Sequence, residues 1–283
     1  MREGDRHRAM PLQRRGVLLL ERRWTVHAPF PFATLFAHRG LHEPDGPRIE
    51  NGPSAFHAAI DTGYGIELDT QLSSDEVAVV FHDAILDRLT AEAGPIRERT
   101  AEELGRIALG ATADRIPTLA ATLAQVDGRV PLLVEIKDQT GCLGPSDGRL
   151  ESAVAEALRS YSGPVACMSF NPSVVANLHR LRPSLPCGLT TDAFEPQAWP
   201  GVPSERLDRL RQIDTDAVAA CFVSHDRRQL DAPRIAELRE AGVPILAWTV
   251  RSPSEAKAAL READGITFEG FRPDLGTIAS MCA

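Results

Sequence analysis

The chain has 283 residues, 43% of them hydrophobic and 25% charged, which is the balance of a globular protein able to bury a sizeable core. Its formal net charge of −8 gives no basic footprint for nucleic acid, and an anionic ligand would need local cations to offset the overall field. No apolar run approaches the roughly 20 residues of a membrane span, so stable membrane insertion is not expected.

Residues 1–32 read as an extension. Arg14, Arg15, Arg22 and Arg23 surround the short run VLLL, which falls short of a signal-peptide core of about 7–15 apolar residues. A cytoplasmic location is the expectation. From residue 34 the sequence alternates short apolar runs with amphipathic stretches. The expected strands are TLFAHRG (34–40), GIELDTQ (65–71), VAVVFHD (77–83), PLLVEIKD (131–138), VACMSF (165–170), PCGLTT (186–191), AACFVSH (219–225), PILAWTV (244–250) and GITFEG (265–270). Between them, SAFHAAIDTG, TLAATLAQVDG, ESAVAEALRSYSG, APRIAELREAG and PSEAKAALREADG carry helical periodicity, and each runs into a glycine that signals a helix stop. This alternation predicts a parallel sheet with helices outside it. Nine strands over this length fit an α/β barrel of eight strands plus one extra. GIELDTQ and VAVVFHD are too close for a crossover helix and are expected to form a hairpin-like extension or one interrupted segment. A doubly wound sheet is disfavoured, because no glycine-rich phosphate loop follows the first strand. Residues 84–116 break the rhythm with a turn and the small helix TAEELGRIAL. They read as a surface loop or, preferably, as an inserted cap over the strand ends.

The five cysteines, Cys142, Cys167, Cys187, Cys221 and Cys282, show no CxxC spacing and read as reduced thiols.

Chemistry concentrates in the first half. His38 and Arg39 close the first run, Glu67 and Asp69 sit in the second, His82 closes the third, and Glu135 and Lys137 close the fourth. Charge inside apolar runs is costly unless it is paired, so these positions point to one polar site where strand ends converge. Strand side chains two apart share a face, so Glu67 projects with Asp69, and Glu135 with Lys137. Three carboxylates facing one point call for a hard divalent cation, magnesium or calcium. Two imidazoles can give and take a proton near neutral pH, and Arg39 and Lys137 can offset phosphate charge. Together the set suits metal-assisted cleavage of a phosphate ester.

FAHRG, IEN (49–51), SAFHAAIDTGYGIELDTQLSSDEVAVVFHDAILDRLT, IPTL and LLVEIK resemble the glycerophosphodiester phosphodiesterase family over roughly residues 34–270. The specific part is the order HR, ExD, H, ExK. The resemblance implies a TIM barrel over residues 33–283, with an inserted segment at 84–116 after the second histidine. It implies a magnesium or calcium ion held by Glu67, Asp69 and Glu135, with His38 and His82 as general acid and base and with Arg39 and Lys137 on the phosphate. It implies a small-molecule glycerophosphodiester substrate, converted through a cyclic phosphate to glycerol 3-phosphate and an alcohol. Glu50, in the EN motif, is placed near the metal as ligand or neighbour, and Asn51 as a cap for the next helix.

The sequence departs from the family in three places: Gly52 follows EN instead of Thr, Asp75-Glu76 replaces an Asp-Gly turn, and Thr267-Phe268-Glu269-Gly270 stands where the last strand commonly ends in Thr-Asp. Trp248 can line the pocket or fill the barrel. Phe170 and Asn171 form a pocket wall or a turn before Pro172, His225 is expected to be structural or at the rim, and Ser169 lacks the setting of a nucleophile. Two alternatives stand beside hydrolysis. One is a phospholipase D-like lyase that releases a cyclic phosphate from lysolipids, and the other is a catalytically silent phosphoester-binding barrel. Head group and oligomeric state are left open.

Overall fold

Short Val- and Ile-rich runs become nine strands in the computed structural model, which describes residues 30–43 and 46–276. They are β1 (Leu35–Ala37), β2 (Gly65–Leu72), β3 (Ala78–Val80), β4 (Leu132–Ile136), β5 (Val165–Ser169), β6 (Cys187–Thr191), β7 (Phe222–Asp226), β8 (Ile245–Val250) and β9 (Gly265–Phe268). The helices are α1 (Pro53–Thr62), α2 (Ala101–Leu104), α3 (Leu119–Val126), α4 (Arg149–Ala157), α5 (Pro172–Leu181), α6 (Ser204–Leu210), α7 (Pro233–Glu240) and α8 (Pro253–Ala259). Residues 1–29 of the expected extension, and Cys282, lie outside the described residues.

Eight strands pair in parallel in the order β1-β9-β8-β7-β6-β5-β4-β2, and β1 also pairs with β2, so the sheet closes on itself. The result is a TIM barrel. β3 stands outside the ring as the antiparallel partner of β2, with Thr70 opposite Val80 and Leu72 opposite Ala78. The close spacing of the two runs had indicated such a hairpin.

The pleat sorts side chains onto two faces. Ile66, Leu68, Leu132, Val134, Val223 and Ala247 face outward into the large core shared with the helices. Phe36, Leu133, Ala166, Met168, Phe222 and Leu246 form a separate cluster joined by Phe30. Phe30 stacks on Phe36 at 5.9 Å, and Phe32 lies against Phe222 at 5.1 Å. This apolar cluster fills the lower barrel. The inward positions above it are polar: Glu67, Asp69, Glu135, Thr190, Ser224 and Thr267 are all buried.

Helix ends differ in part from expectation. Gly63, at φ 79°, ends α1 through N–H bonds to Ala59 and Ile60. α4 stops at Ala157 and α8 at Ala259, well before Gly163 and Gly265. These two glycines answer to close approach instead. A Cβ on Gly163 would lie 2.6 Å from the Gly128 Cα, and one on Gly265 would lie 2.2 Å from the Phe32 carbonyl oxygen. Helices α5 and α6 escape the glycine signal because their caps are Arg182 and Arg211. Asn171 caps α5 by accepting from the Ser173 N–H at 2.9 Å, so it makes a strand-to-helix turn.

Residues 84–116 carry a short 3-10 turn and α2, whose Thr100 and Glu103 form a capping box. With β3 they pack a small core of their own from Val79, Phe81, Leu86, Ile96, Leu104 and Leu109. Among the described residues no helix is long and apolar enough to cross a membrane. The four described cysteines are free.

His225 is buried in β7, and its Nδ1 lies 2.7 Å from the Thr191 hydroxyl of β6. Its role is structural. Burial pulls its pKa down to about 4. An unfolded histidine titrates near ~6.5, so below that pH the unfolded chain takes up a proton that the folded chain refuses until about 4. Stability is therefore full above this window and falls as the pH drops through it, by about 3 kcal/mol from this group. Urea unfolding of the wild type and His225→Leu at several pH values should show that difference in acid sensitivity. Parallel pH profiles for the two proteins would refute it.

Candidate active site

The site begins with β2. Glu67 and Asp69 share the inward face, and the parallel register sets Asp69 beside Glu135 of β4. All three are buried, at 2%, 1% and 6% exposure, and an oxygen from each lies within 4.8 Å of the others. Burial, together with the charges of Asp69 and Glu135, raises the Glu67 pKa well above the usual carboxylate range. Burial acts on Asp69 in the same direction, but Lys137, His82 and Arg39 outweigh it and hold this carboxyl below its ordinary value. Lys137 follows β4 directly and bridges the two strands, with its Nζ 2.8 Å from Asp69 Oδ1 and 2.5 Å from Glu135 Oε1. One ammonium among three buried acids leaves negative charge uncompensated. The all-oxygen donor set suits a hard divalent cation.

His38 and Arg39 lie just past the end of β1, in a tight turn. Arg39 has φ 56° and Asn51 has φ 58°, both in the sparsely populated left-handed region. The turn is pinned from two sides. The Arg39 N–H donates to Glu67 Oε2 at 3.0 Å, and the Asn51 N–H donates to the Arg39 carbonyl at 2.9 Å. Asn51 is fully buried. Its Nδ2 donates to Asp69 Oδ2 at 2.8 Å, and its Oδ1 accepts from the Asp69 N–H at 3.2 Å. The expected helix-cap role is thereby corrected: Gly52 occupies the cap of α1, and no side chain caps it there. Asn51 instead orients a carboxylate on the neighbouring strand.

Each imidazole is held from behind by a carboxylate. His38 Nδ1 lies 2.6 Å from Glu269 Oε2, just past β9, and its Nε2 faces Glu67 at 4.0 Å. His82 follows β3, and its Nδ1 lies 2.7 Å from Asp83 Oδ1. Burial opposes ionisation of Glu269, but the bond from His38 and the nearby His42 and Arg251 overcome it and hold its pKa far down. Arg88 and His82 do the same for Asp83. With both carboxylates ionised, the proton of each neutral ring sits on Nδ1, and Nε2 is left free to accept. Burial also lowers the pKa of His38, against the raising effect of Glu269.

A guanidinium chain links the two imidazoles. Arg88, from the segment after β3, donates Nε to Asp83 at 2.6 Å and grips Glu50 at 2.7 and 2.9 Å. Glu50 in turn accepts from Arg39 Nη1 at 2.5 Å, and Arg39 Nε stands 3.4 Å from Asp69. His38, Arg39, Glu50, Arg88 and Glu269 line one cavity of about 370 Å³. Trp248, on β8, lies beside the Phe170 ring at 5.5 Å and donates to the Ser224 carbonyl at 3.0 Å.

The structure thus gathers His38, Arg39, Glu50, Glu67, Asp69, Glu135 and Lys137 at one barrel mouth, with His82 near enough to influence Asp69. Sequence reasoning missed Asn51 as a partner of Asp69, Glu269 as the partner of His38, and Arg88. Glu269 had a signal, since it is the acid that closes the last strand-like run, GITFEG. Arg88 had none, because its partner Glu50 lies 38 residues away.

The Glycerophosphoryl diester phosphodiesterase family model matches residues 38–269. YhdW of Bacillus subtilis (strain 168) is 30% identical over 242 residues, spanning 82% of this chain and 92% of that protein. A glycerophosphodiester phosphodiesterase of Caldanaerobacter subterraneus subsp. tengcongensis is 31% identical over 176 residues, spanning 58% and 69%. Among solved structures, an Oleispira antarctica phosphodiesterase in complex with its product sn-glycerol-3-phosphate shares the fold at TM-score 0.66 and 24% identity, over 83% of this chain and 92% of that one. A glycerophosphodiester phosphodiesterase from Thermotoga maritima does so at TM-score 0.64 and 22% identity, over 83% and 93%.

Removing the Asn51 amide strips Asp69 of two buried hydrogen bonds. Asn51→Ala should destabilise the protein by about 3 kcal/mol, from the unpaired groups and the left-handed backbone together. Asn51→Gly should recover about 1 kcal/mol of that, because glycine relieves only the backbone cost. Urea unfolding at neutral pH measures both, and equal stability of the two variants would contradict the assignment.

Proposed function

We propose that this chain, which belongs to the glycerophosphoryl diester phosphodiesterase family, hydrolyses glycerophosphodiesters to glycerol 3-phosphate and an alcohol. One observation carries the reading. Three buried carboxylates with oxygens within 4.8 Å of one another sit beside His38, whose Nδ1 is tied off by Glu269. The product bound to the Oleispira relative agrees with the substrate class.

In this reading Glu67, Asp69 and Glu135 hold a divalent cation, magnesium or calcium. When bound, it supplies positive charge against the phosphate and the developing alkoxide. Arg39 adds a guanidinium suited to two-pronged phosphate contact. Lys137 contributes a second cation, drawn from its bonds to Asp69 and Glu135. Glu50 holds Arg39 in place. One imidazole takes the proton from the glycerol hydroxyl as its oxygen forms a bond to phosphorus. The other gives a proton to the alcohol oxygen as its bond to phosphorus breaks. The resulting cyclic phosphate is opened by water with the two roles exchanged. Each ring can serve because a carboxylate holds its Nδ1 proton and leaves Nε2 free. Trp248 offers an aromatic wall for the glycerol carbons. Residues 84–116 act as a cap that brings Arg88 to the mouth. A cytoplasmic site of action belongs to the same proposal, and free cysteines suit a reducing compartment.

Phosphorus NMR of turnover on a glycerophosphodiester such as glycerophosphocholine tests the reaction. Glycerol 3-phosphate should accumulate in the presence of magnesium or calcium, and chelation should stop it. A cyclic phosphate that persists would assign a lyase, and binding without turnover would assign a silent barrel. Glu67→Ala and Asp69→Ala should each lower metal affinity by at least about 10–100-fold and abolish turnover at ordinary metal concentrations. Full activity of either variant after chelation would refute the assignment.

His82→Ala should lower kcat by about 10²–10⁴-fold, with little change in KM, because proton transfer helps most in the transition state. Steady-state kinetics that showed only a raised KM would remove His82 from the chemistry.

A further inference from the structure

We propose that His38, His42 and Glu269 form a second metal site, selective for zinc-like cations, and that its occupancy switches the enzyme off. The site is separate from the carboxylate trio and uses different chemistry. An atom from each of the three residues lies within 4.8 Å of the others. His38 Nδ1 is 2.6 Å and His42 Nε2 is 3.7 Å from the same oxygen, Glu269 Oε2. The His42 side chain is only 9% exposed, and its Nε2 is buried without a hydrogen-bond partner. Such a group is costly unless something fills its bonding capacity. An ion between the two rings would do so.

Two imidazoles and one carboxylate are a donor set that zinc favours and that magnesium and calcium do not. The adjacent cavity, lined by these three residues, leaves room for a water in the fourth position of a tetrahedral ion. Glu269 Oε1 is already held by Arg251 Nε at 2.6 Å, which fixes the carboxylate so that Oε2 faces both rings.

Zinc entry has a definite proton balance. The metal takes the His38 Nδ1 position now used for the bond to Glu269, and the single proton of the neutral ring is exchanged through solvent from Nδ1 to Nε2, the atom that faces Glu67, with no net proton released. Held in that form, His38 can neither accept a proton nor complete a cycle of taking and releasing one. This consequence for activity rests on the proposed function. The existence of the site does not.

The test therefore begins with binding. Purified full-length protein is equilibrated with zinc, and bound metal is counted by competition with a chromophoric chelator. Wild type should hold one equivalent more than His42→Ala, and Glu269→Gln should lose the same equivalent. Cobalt(II) in place of zinc should give visible d–d bands of a tetrahedral nitrogen-containing site in the wild type, and those bands should vanish in His42→Ala. Equal stoichiometry in wild type and His42→Ala, or unchanged cobalt bands, would overturn the proposal.

Activity is read second, with magnesium or calcium saturating. Zinc should inhibit wild type at concentrations about tenfold or more below those needed for His42→Ala, each compared with its own zinc-free rate. Equal sensitivity of the two proteins would overturn the switch. A chain that binds the extra equivalent yet cleaves no glycerophosphodiester would overturn the proposed function and leave the metal site standing.

Discussion

Everything at the barrel mouth answers to one electrostatic constraint, which is like charge buried in a small volume. Glu67, Asp69 and Glu135 sit almost out of solvent within reach of a single point. Moving even one carboxylate out of water costs several kcal/mol unless it is paired. The protein offsets part of that cost with Lys137, which bonds two of the acids, and with Arg39, whose backbone N–H bonds the third. Glu67 remains the least compensated, so its carboxyl is the one pushed upward. The lower barrel bears the other side of this balance. Phe30, Phe36, Leu133, Met168, Phe222 and Leu246 exclude water beneath the acids, which keeps the strand ends rigid and the electrostatics strong.

The same constraint explains the connectivity of the polar residues. An isolated Arg39 beside Asp69 would be free to swing, but Glu50 holds its far end, and Arg88 holds Glu50 and Asp83 together. Asp83 in turn sets His82. One path of ion pairs and hydrogen bonds thus runs from the acids on β2, through the loop before α1, to the segment after β3. That segment brings its own apolar core, so Arg88 is presented from a packed element and not from a loose loop. The preorganisation lies in charged contacts between elements distant in sequence.

How much of this is legible in the sequence depends on the range of the interaction. The barrel is, because strand–helix alternation and the glycine after α1 are local signals, and the β2–β3 hairpin follows from spacing alone. The pairing of Glu67 with Asp69 is legible from the two-residue pleat. Helices α5 and α6 are not, since they end on arginines, and Gly163 and Gly265 mislead because they serve backbone contacts formed only in the closed barrel. Asn51 misleads for a related reason. Its position before a helix reads as a cap, yet its left-handed backbone turns the amide toward Asp69 on the neighbouring strand. Contacts such as Arg88 to Glu50 and His38 to Glu269, 231 residues apart, exist only after closure, and periodicity carries no trace of them.

Closure itself places Glu269 behind His38. β1 and β9 are the first and last strands of the ring, and they meet because the eight parallel strands close on themselves. The Phe268 carbonyl accepts from the His38 N–H at 2.9 Å, so the ladder bond that seals the barrel also fixes the backbone on which both the imidazole and its carboxylate stand. Glu269 touches His38 with one oxygen while the other is held by Arg251. The shared oxygen is also the one His42 approaches. The acid at the seam thus bonds His38 and Arg251 and lies beside His42, and the geometry around His38 depends on it as much as on the histidine itself.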